Sequence, residues 1–195
     1  MTPRTDGAFV WEPSTGFGQL AKHRRSSLIV DPTAEIDRDV LEDLIRTAVW
    51  APNHRRTEPW RFCVVSGSAR EEFGALVADG CQREGAAPAR VDKAARKYLR
   101  TPHVLCVGGA RSPDPVLDRE QRDAVAAAIQ TLLLAATERH IGSFWASLPC
   151  ATTAELRQFC GFETDTDLVA VVYLGLASGS PQNPGRGEPH ITWRP

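Results

Sequence analysis

Three short stretches of this chain hold residues whose chemistry depends on their standing together. The first is Lys22-His23-Arg24-Arg25-Ser26-Ser27. An arginine guanidinium is a rigid fork that meets phosphate oxygens two at a time, and a serine hydroxyl adds one short donor. Arg24, Arg25 and Ser26 would therefore grip a phosphate, although a basic run is more commonly a solvated face. The second stretch runs from Trp50 to Trp60, Trp-Ala-Pro-Asn-His-Arg-Arg-Thr-Glu-Pro-Trp. It is a short loop rich in donors and aromatics, with Trp50, Asn53 and His54 as candidate ligand contacts. The third is Ile141-Gly142-Ser143-Phe144-Trp145-Ala146-Ser147, an aromatic pair among small residues. Its plainest use is core packing; its functional use is to line a ligand.

Stiff elements must position these stretches. Val40, Leu41, Leu44, Ile45, Ala48 and Val49 share one helical face, and Pro52 helps to stop that helix. Residues 61–65 then read as a short strand. The 50–60 loop thus joins a helix to a strand, the kind of loop where binding groups usually sit. Ser68 and Glu71 form a capping box that opens a helix to about Cys81, and residues 91–99 read as a basic amphipathic helix. Residues 103–108 read as a second strand and 108–118 as a loop with Pro113 and Pro115. Residues 122–140 are apolar on nearly every side, as in a helix buried all round. Gly142 terminates it, and residues 141–147 form a short strand or tight turn. Thr152 and Glu155 make another capping box, with Gly161 ending its helix, and 168–176 is a continuous apolar strand. Residues 1–18 read as an irregular arm with Phe9, Val10, Trp11 and Phe17 as anchors, and 177–195 as a Pro/Gly-rich tail. The pattern predicts one α+β domain over 1–195, a mostly antiparallel sheet wrapped by helices.

Composition narrows the function. A net charge of −1 gives no sign of nucleic acid or an anionic membrane as partner. The longest apolar stretch, 124–136, is too short to span a bilayer, and the N-terminus lacks a signal-peptide core. Five cysteines without C-x-x-C spacing indicate neither a disulfide framework nor a zinc site, and no metal site is expected. A reducing, cytoplasmic setting fits them. The dinucleotide Gly-x-Gly-x-x-Gly, the Walker loop, His-Glu-x-x-His and Gly-x-Ser-x-Gly are all missing.

In this order, Arg24-Arg25-Ser26, then Ala51-Pro52-Asn53-His54 with Glu58-Pro59-Trp60, then Gly142 to Trp145, the chain resembles the nitroreductase family. The resemblance covers nearly everything from Lys22 onward and is closest to the small, short-chain type. Two positions depart from the family pattern: Glu58 stands where Gln is usual, and Leu28 where many members have Lys. The resemblance implies a nitroreductase-like fold, a homodimer, and bound flavin mononucleotide (FMN). It places the FMN phosphate and ribityl chain at Arg24, Arg25 and Ser26, with Trp50, Asn53, His54, Trp145, Ala146 and Ser147 around the ring. It also implies ping-pong hydride transfer from NAD(P)H to a nitroaromatic, quinone or similar small acceptor, with the chemistry carried by the flavin. The alternatives are an FMN-sequestering protein with little reductase activity, or a specialised member such as a deiodinase or dehydrogenase.

Overall fold

The computed structural model describes residues 15–179, 181–182 and 185–194. Phe9, Val10 and Trp11 of the expected arm lie outside the described residues. Strands β1 (Trp60–Ser66), β2 (His103–Ala110), β3 (Ile141–Ala146) and β4 (Thr166–Leu176) form one antiparallel sheet in the order β1-β2-β4-β3. Helices α2 (Arg38–Ala48) and α5 (Pro115–Glu138) cover one face; α3 (Ala69–Arg83), α4 (Pro88–Arg96) and α6 (Ala154–Cys160) cover the other.

Side chains alternate across a strand, and here both directions lead into core. Leu105, Val107, Ala170, Val172 and Leu174 pack with Leu41, Leu44, Val125, Ile129 and Leu132. Their neighbours Val104, Cys106, Val171 and Tyr173 pack with Phe73, Val77, Tyr98 and Leu156. Double-sided burial explains why these strands read as continuous apolar runs. Each fully buried Leu, Ile or Phe is worth about 1.5–3 kcal/mol, so the two layers dominate stability.

The expected α+β architecture is what forms, with four differences in its elements. First, the central helix ends at Glu138, and Gly142, expected to terminate it, lies within β3. The central helix starts at Pro115 rather than Arg122, because Asp114 accepts from the N–H groups of Val116 (2.9 Å) and Leu117 (3.4 Å). Pro115, which looked like loop punctuation, has its fixed φ used at the first helical position. Residues 15–18, expected within the irregular arm, make the first turn of α1 (Thr15–His23). Ser68 precedes α3 without a side-chain capping bond, whereas Thr153 caps α6 by accepting from Leu156 N–H at 3.2 Å. Its neighbour Thr152 instead accepts from the N–H of Leu168, at 3.0 Å.

One buried histidine ties the start of the sheet to the segment before α2. His103 is 4% exposed. Its Nε2 accepts from Ile36 N–H at 2.9 Å, so in the neutral ring Nδ1–H donates to Ser66 Oγ, 2.6 Å away. Glu35 lies 3.0 Å from Nε2, but that nitrogen already serves as an acceptor. Burial, with a smaller push from Arg70, holds His103 below the ordinary histidine value, and Glu35 only partly opposes this. A depressed folded value means that the neutral ring stabilises the fold above about pH 6.5. That stability is lost as pH falls through the lower folded value. In chemical denaturation, His103→Gln should be less stable than wild type at pH 7.5, and the gap should narrow as pH is lowered to 5. A gap independent of pH would refute the assignment.

Candidate functional site

The chain leaves α1 at His23, with Arg24 N–H closing the last turn on Leu20 O at 2.9 Å. It then runs extended along β3, which is an edge strand. Ser26 bridges Ser143 in parallel, and Ser27 N–H donates to Ser143 O at 2.9 Å. Further on, Val30 bridges Ala177, and Asp31 N–H donates to Leu176 O. This path needs bare backbone beneath it. Gly142 and Gly175 face each other across β3 and β4. A Cβ on Gly142 would lie 2.5 Å from Val30 Cγ1, and one on Gly175 would lie 2.9 Å from the Val30 side chain.

The extended path turns successive side chains to different sides. Arg25 and Ser27 line a cleft of about 870 Å³, together with Phe17, Leu20, His140 and Gly142; Arg24 and Ser26 do not line it. Arg25 Nη1 donates to Arg24 O at 2.6 Å, while its Nε is buried without a partner. Arg24 is held below the ordinary arginine value first by burial, then by the charges of Arg186 and Arg25. Arg186, from the C-terminal tail, thus joins the two N-terminal arginines. Among the described residues no carboxylate pairs with any of the three. Three cations gathered without a counter-charge suit a bound anion. Of the two tail cations, Arg186 and Arg194, sequence could not say which one reaches this place; the fold brings Arg186.

β3 carries the third stretch and divides it. Phe144 and Ala146 pack into the α3/α6 layer, Phe144 edge-on to Tyr173 with ring centroids 6.1 Å apart. Ser143 and Trp145 alternate to the opposite face. Trp145 is partly exposed there, and Ser143 Oγ is buried with no hydrogen-bond partner. Ser147 is exposed just beyond the strand. Core packing therefore accounts for Phe144 and leaves Trp145 open.

The 50–60 loop is rigid for a different reason. Asn53 Oδ1 accepts from Glu58 N–H at 2.8 Å, and its amide donates to Thr57 Oγ1 at 3.2 Å and to His54 O at 3.3 Å. Its carboxamide is thus committed to holding the loop. Arg55, Arg56 and Glu58 all have φ between 47° and 61°, a region that costs non-glycine residues free energy. Such strain persists only where the surroundings over-determine it. Trp50 stands 87% exposed beside the loop. His54 Nδ1 lies 3.1 Å from Glu120 Oε2 on α5. That carboxylate oxygen is shut off from solvent, with His54 its one ion-pair partner among the described residues. Sequence reading missed Glu120, which lies just ahead of the stretch read as helix and outside every motif.

The fold does not bring the two halves together within one chain. Glu120, beside His54, and Thr137, on the cleft wall, lie toward opposite ends of α5. At about 1.5 Å per helical residue they are roughly 25 Å apart.

A sequence model described as the nitroreductase family matches residues 21–176. YdjA of Escherichia coli K12, provisionally named an NAD(P)H nitroreductase, is 26% identical over 157 residues, covering 80% of this chain and 85% of YdjA. The crystal structure of a nitroreductase-like family protein from Bacillus cereus superposes with a TM-score of 0.78 at 24% identity, covering 92% of this chain and 95% of that one. A Bacteroides fragilis nitroreductase with bound FMN superposes at 0.76 and 20% identity, covering 93% and 100%.

The seat of Val30 yields a direct test. Gly142→Ala should push Val30, and with it the arginine-bearing segment, away from the sheet. The expected cost is about 1–3 kcal/mol, read as a lower denaturation midpoint. An unchanged midpoint would show that the segment is not held by this contact.

Proposed function

This chain belongs to the nitroreductase family and is an oxidoreductase; from that premise we propose that it holds FMN and passes hydride from NADH or NADPH to a small acceptor such as a quinone or nitroaromatic. The observation that carries the reading is the meeting of Arg24, Arg25 and Arg186, uncompensated by carboxylates, at the edge of β3 beside a cleft of about 870 Å³. That volume is of the size that small-molecule and cofactor sites have. Arg25, which lines the cleft, keeps an orphaned Nε–H that a phosphate would satisfy.

Arg24 and Arg186, with Ser26 and Arg25, hold the phosphate by charge-assisted bonds. Trp145 and Ser147, beyond the buried Ser143, line the site along β3, with Ala146 fixing the strand against the core. When bound, FMN would supply the hydride chemistry that links the nicotinamide to the acceptor. The side chains orient ligands and exclude water, and no nucleophile or acid–base dyad of the chain is needed for the transfer.

Trp50 and His54 join the site from a second chain, on the loop that Asn53 holds in shape. This part rests on the roughly 25 Å along α5 that separates the two halves. The exposed Phe17, Ile29, Trp50, Ile191 and Trp193 are apolar surface that a two-fold partner would bury. Both core layers share one sheet, which supports a single domain over 1–195. No helix among the described residues is long and apolar enough to cross a membrane. All five cysteines are unpaired, as suits the cytoplasm.

The purified protein should show flavin absorbance, elute as a dimer, and oxidise NADH or NADPH only when an acceptor is present, with parallel-line kinetics. Flavin absorbance without nicotinamide oxidation would favour FMN storage instead. Arg24→Ala and Arg186→Ala should each weaken FMN by about 1.5–3 kcal/mol, a roughly 10- to 150-fold rise in Kd. FMN affinity unchanged in both variants would remove the phosphate assignment.

A further inference from the structure

Outside these stretches, the described residues bring a loop thiol against a helix that carries another. Cys81 is fully buried on α3, and Cys150 is half-buried in the loop from β3 to α6. The two thiols act on each other electrostatically. Cys150 Sγ also lies 3.6 Å from Val77 O, to which it donates. It stands 2.9 Å from where a Cβ on Gly80 would be. Gly80 therefore opens the notch that lets a loop sulfur reach α3. The loop is held over that notch by Arg90 Nη2 donating to Pro149 O and Ala151 N–H donating to Glu84 Oε1, each at 2.7 Å. Lys97, half-buried in the turn after α4, brings a positive charge to both thiols.

We propose that Cys81 and Cys150 are a peroxide-responsive dithiol that closes to a disulfide and clamps the 147–153 loop to α3. The Cys150 thiolate attacks hydrogen peroxide: an S–O bond forms, the O–O bond breaks and hydroxide leaves. Cys81 then gives up its proton and attacks the sulfur of the resulting sulfenic acid; an S–S bond forms and water leaves. Two thiols are oxidised and one peroxide is reduced to two waters. This inference does not depend on the flavin reading.

The other three thiols lack these features. Cys63 and Cys106 are opposed on β1 and β2, and Cys160 on α6 packs into the same core layer. Hydrogen bonding and burial drive Cys63 and Cys160 far above the thiol range, with no cation acting on them. They sit on strands and a helix, where backbone movement is costly, whereas Cys150 lies in a loop. Burial, then Cys81 and Glu84, push Cys150 up to about 11, while Lys97 pulls it down. Since the thiolate is the nucleophile, closure should be slow at pH 7 and accelerate about tenfold per pH unit toward pH 9.

The test treats the intact purified protein with hydrogen peroxide at pH 7, 8 and 9, followed by alkylation and peptide mass spectrometry. The expected product has a peptide joining Cys81 to Cys150 while Cys63, Cys106 and Cys160 stay alkylatable. Its melting midpoint should rise by roughly 5–10 °C through closure of the loop between the two sulfurs. Cys150→Ser should abolish the link, Lys97→Met should slow it several-fold, and Gly80→Ala should prevent it while leaving Cys150 oxidisable. A link within the Cys63, Cys106 and Cys160 group, over-oxidation of Cys150 without a link, or five surviving thiols would overturn the proposal. So would a Gly80→Ala protein that closes at the wild-type rate.

Discussion

Two facing glycines decide where the arginine-bearing segment can lie. Without side chains at Gly142 and Gly175, Val30 drops onto the sheet, and the chain from Ser26 to Asp31 is stitched to β3 and to the end of β4. Arg24, Arg25 and the cleft take their places from that contact. It is a steric constraint rather than a strong attraction, and it acts through two strands that are themselves fixed by core on both faces. The tail returns to the same place after β4, which brings Arg186 to the N-terminal pair. Segments from both ends of the chain therefore meet beside the arginine pair that the glycines position.

The second fixed point is α5. Its apolar sides are taken up by the sheet and α2, so it acts as a rigid spacer between the arginine cluster and the 50–60 loop. The loop keeps three non-glycine residues at positive φ because Asn53 bonds across it and His54 meets Glu120. Strain of about 1–3 kcal/mol per residue is thereby held in place by one carboxamide and the contact of His54 with Glu120. His54 presents its ring from a backbone already set before a ligand arrives.

The strands and the helices α2, α5 and α6 were legible because burial writes long apolar patterns into sequence. The three stretches with chemical promise were legible because unlike residue types crowd there. What was illegible depends on context that one residue cannot carry. Pro115 serves equally as a loop breaker or a helix start, and only the bond from Asp114 decides. Ala146 and Trp145 are neighbours in one motif, yet strand alternation sends one into core and leaves the other in the open. Asn53 looks like a ligand donor, but its three bonds go to its own loop. Arg186 and Arg194 are equal on paper until the tail's path is known. Glu120 carries no motif, and its meaning comes from an oxygen that is buried beside an imidazole.

The strip laid along β3 has a further consequence, for self-association. β3 lies at the border of the sheet, where unpaired N–H and C=O groups would template another extended chain. The bridge from Ser26 occupies part of that border, and Ser27 N–H covers the carbonyl of Ser143. The same few residues that gather positive charge also blunt a sticky edge. A substitution that loosened them would threaten solubility as well as ligand binding, and the two losses would be hard to separate by activity alone.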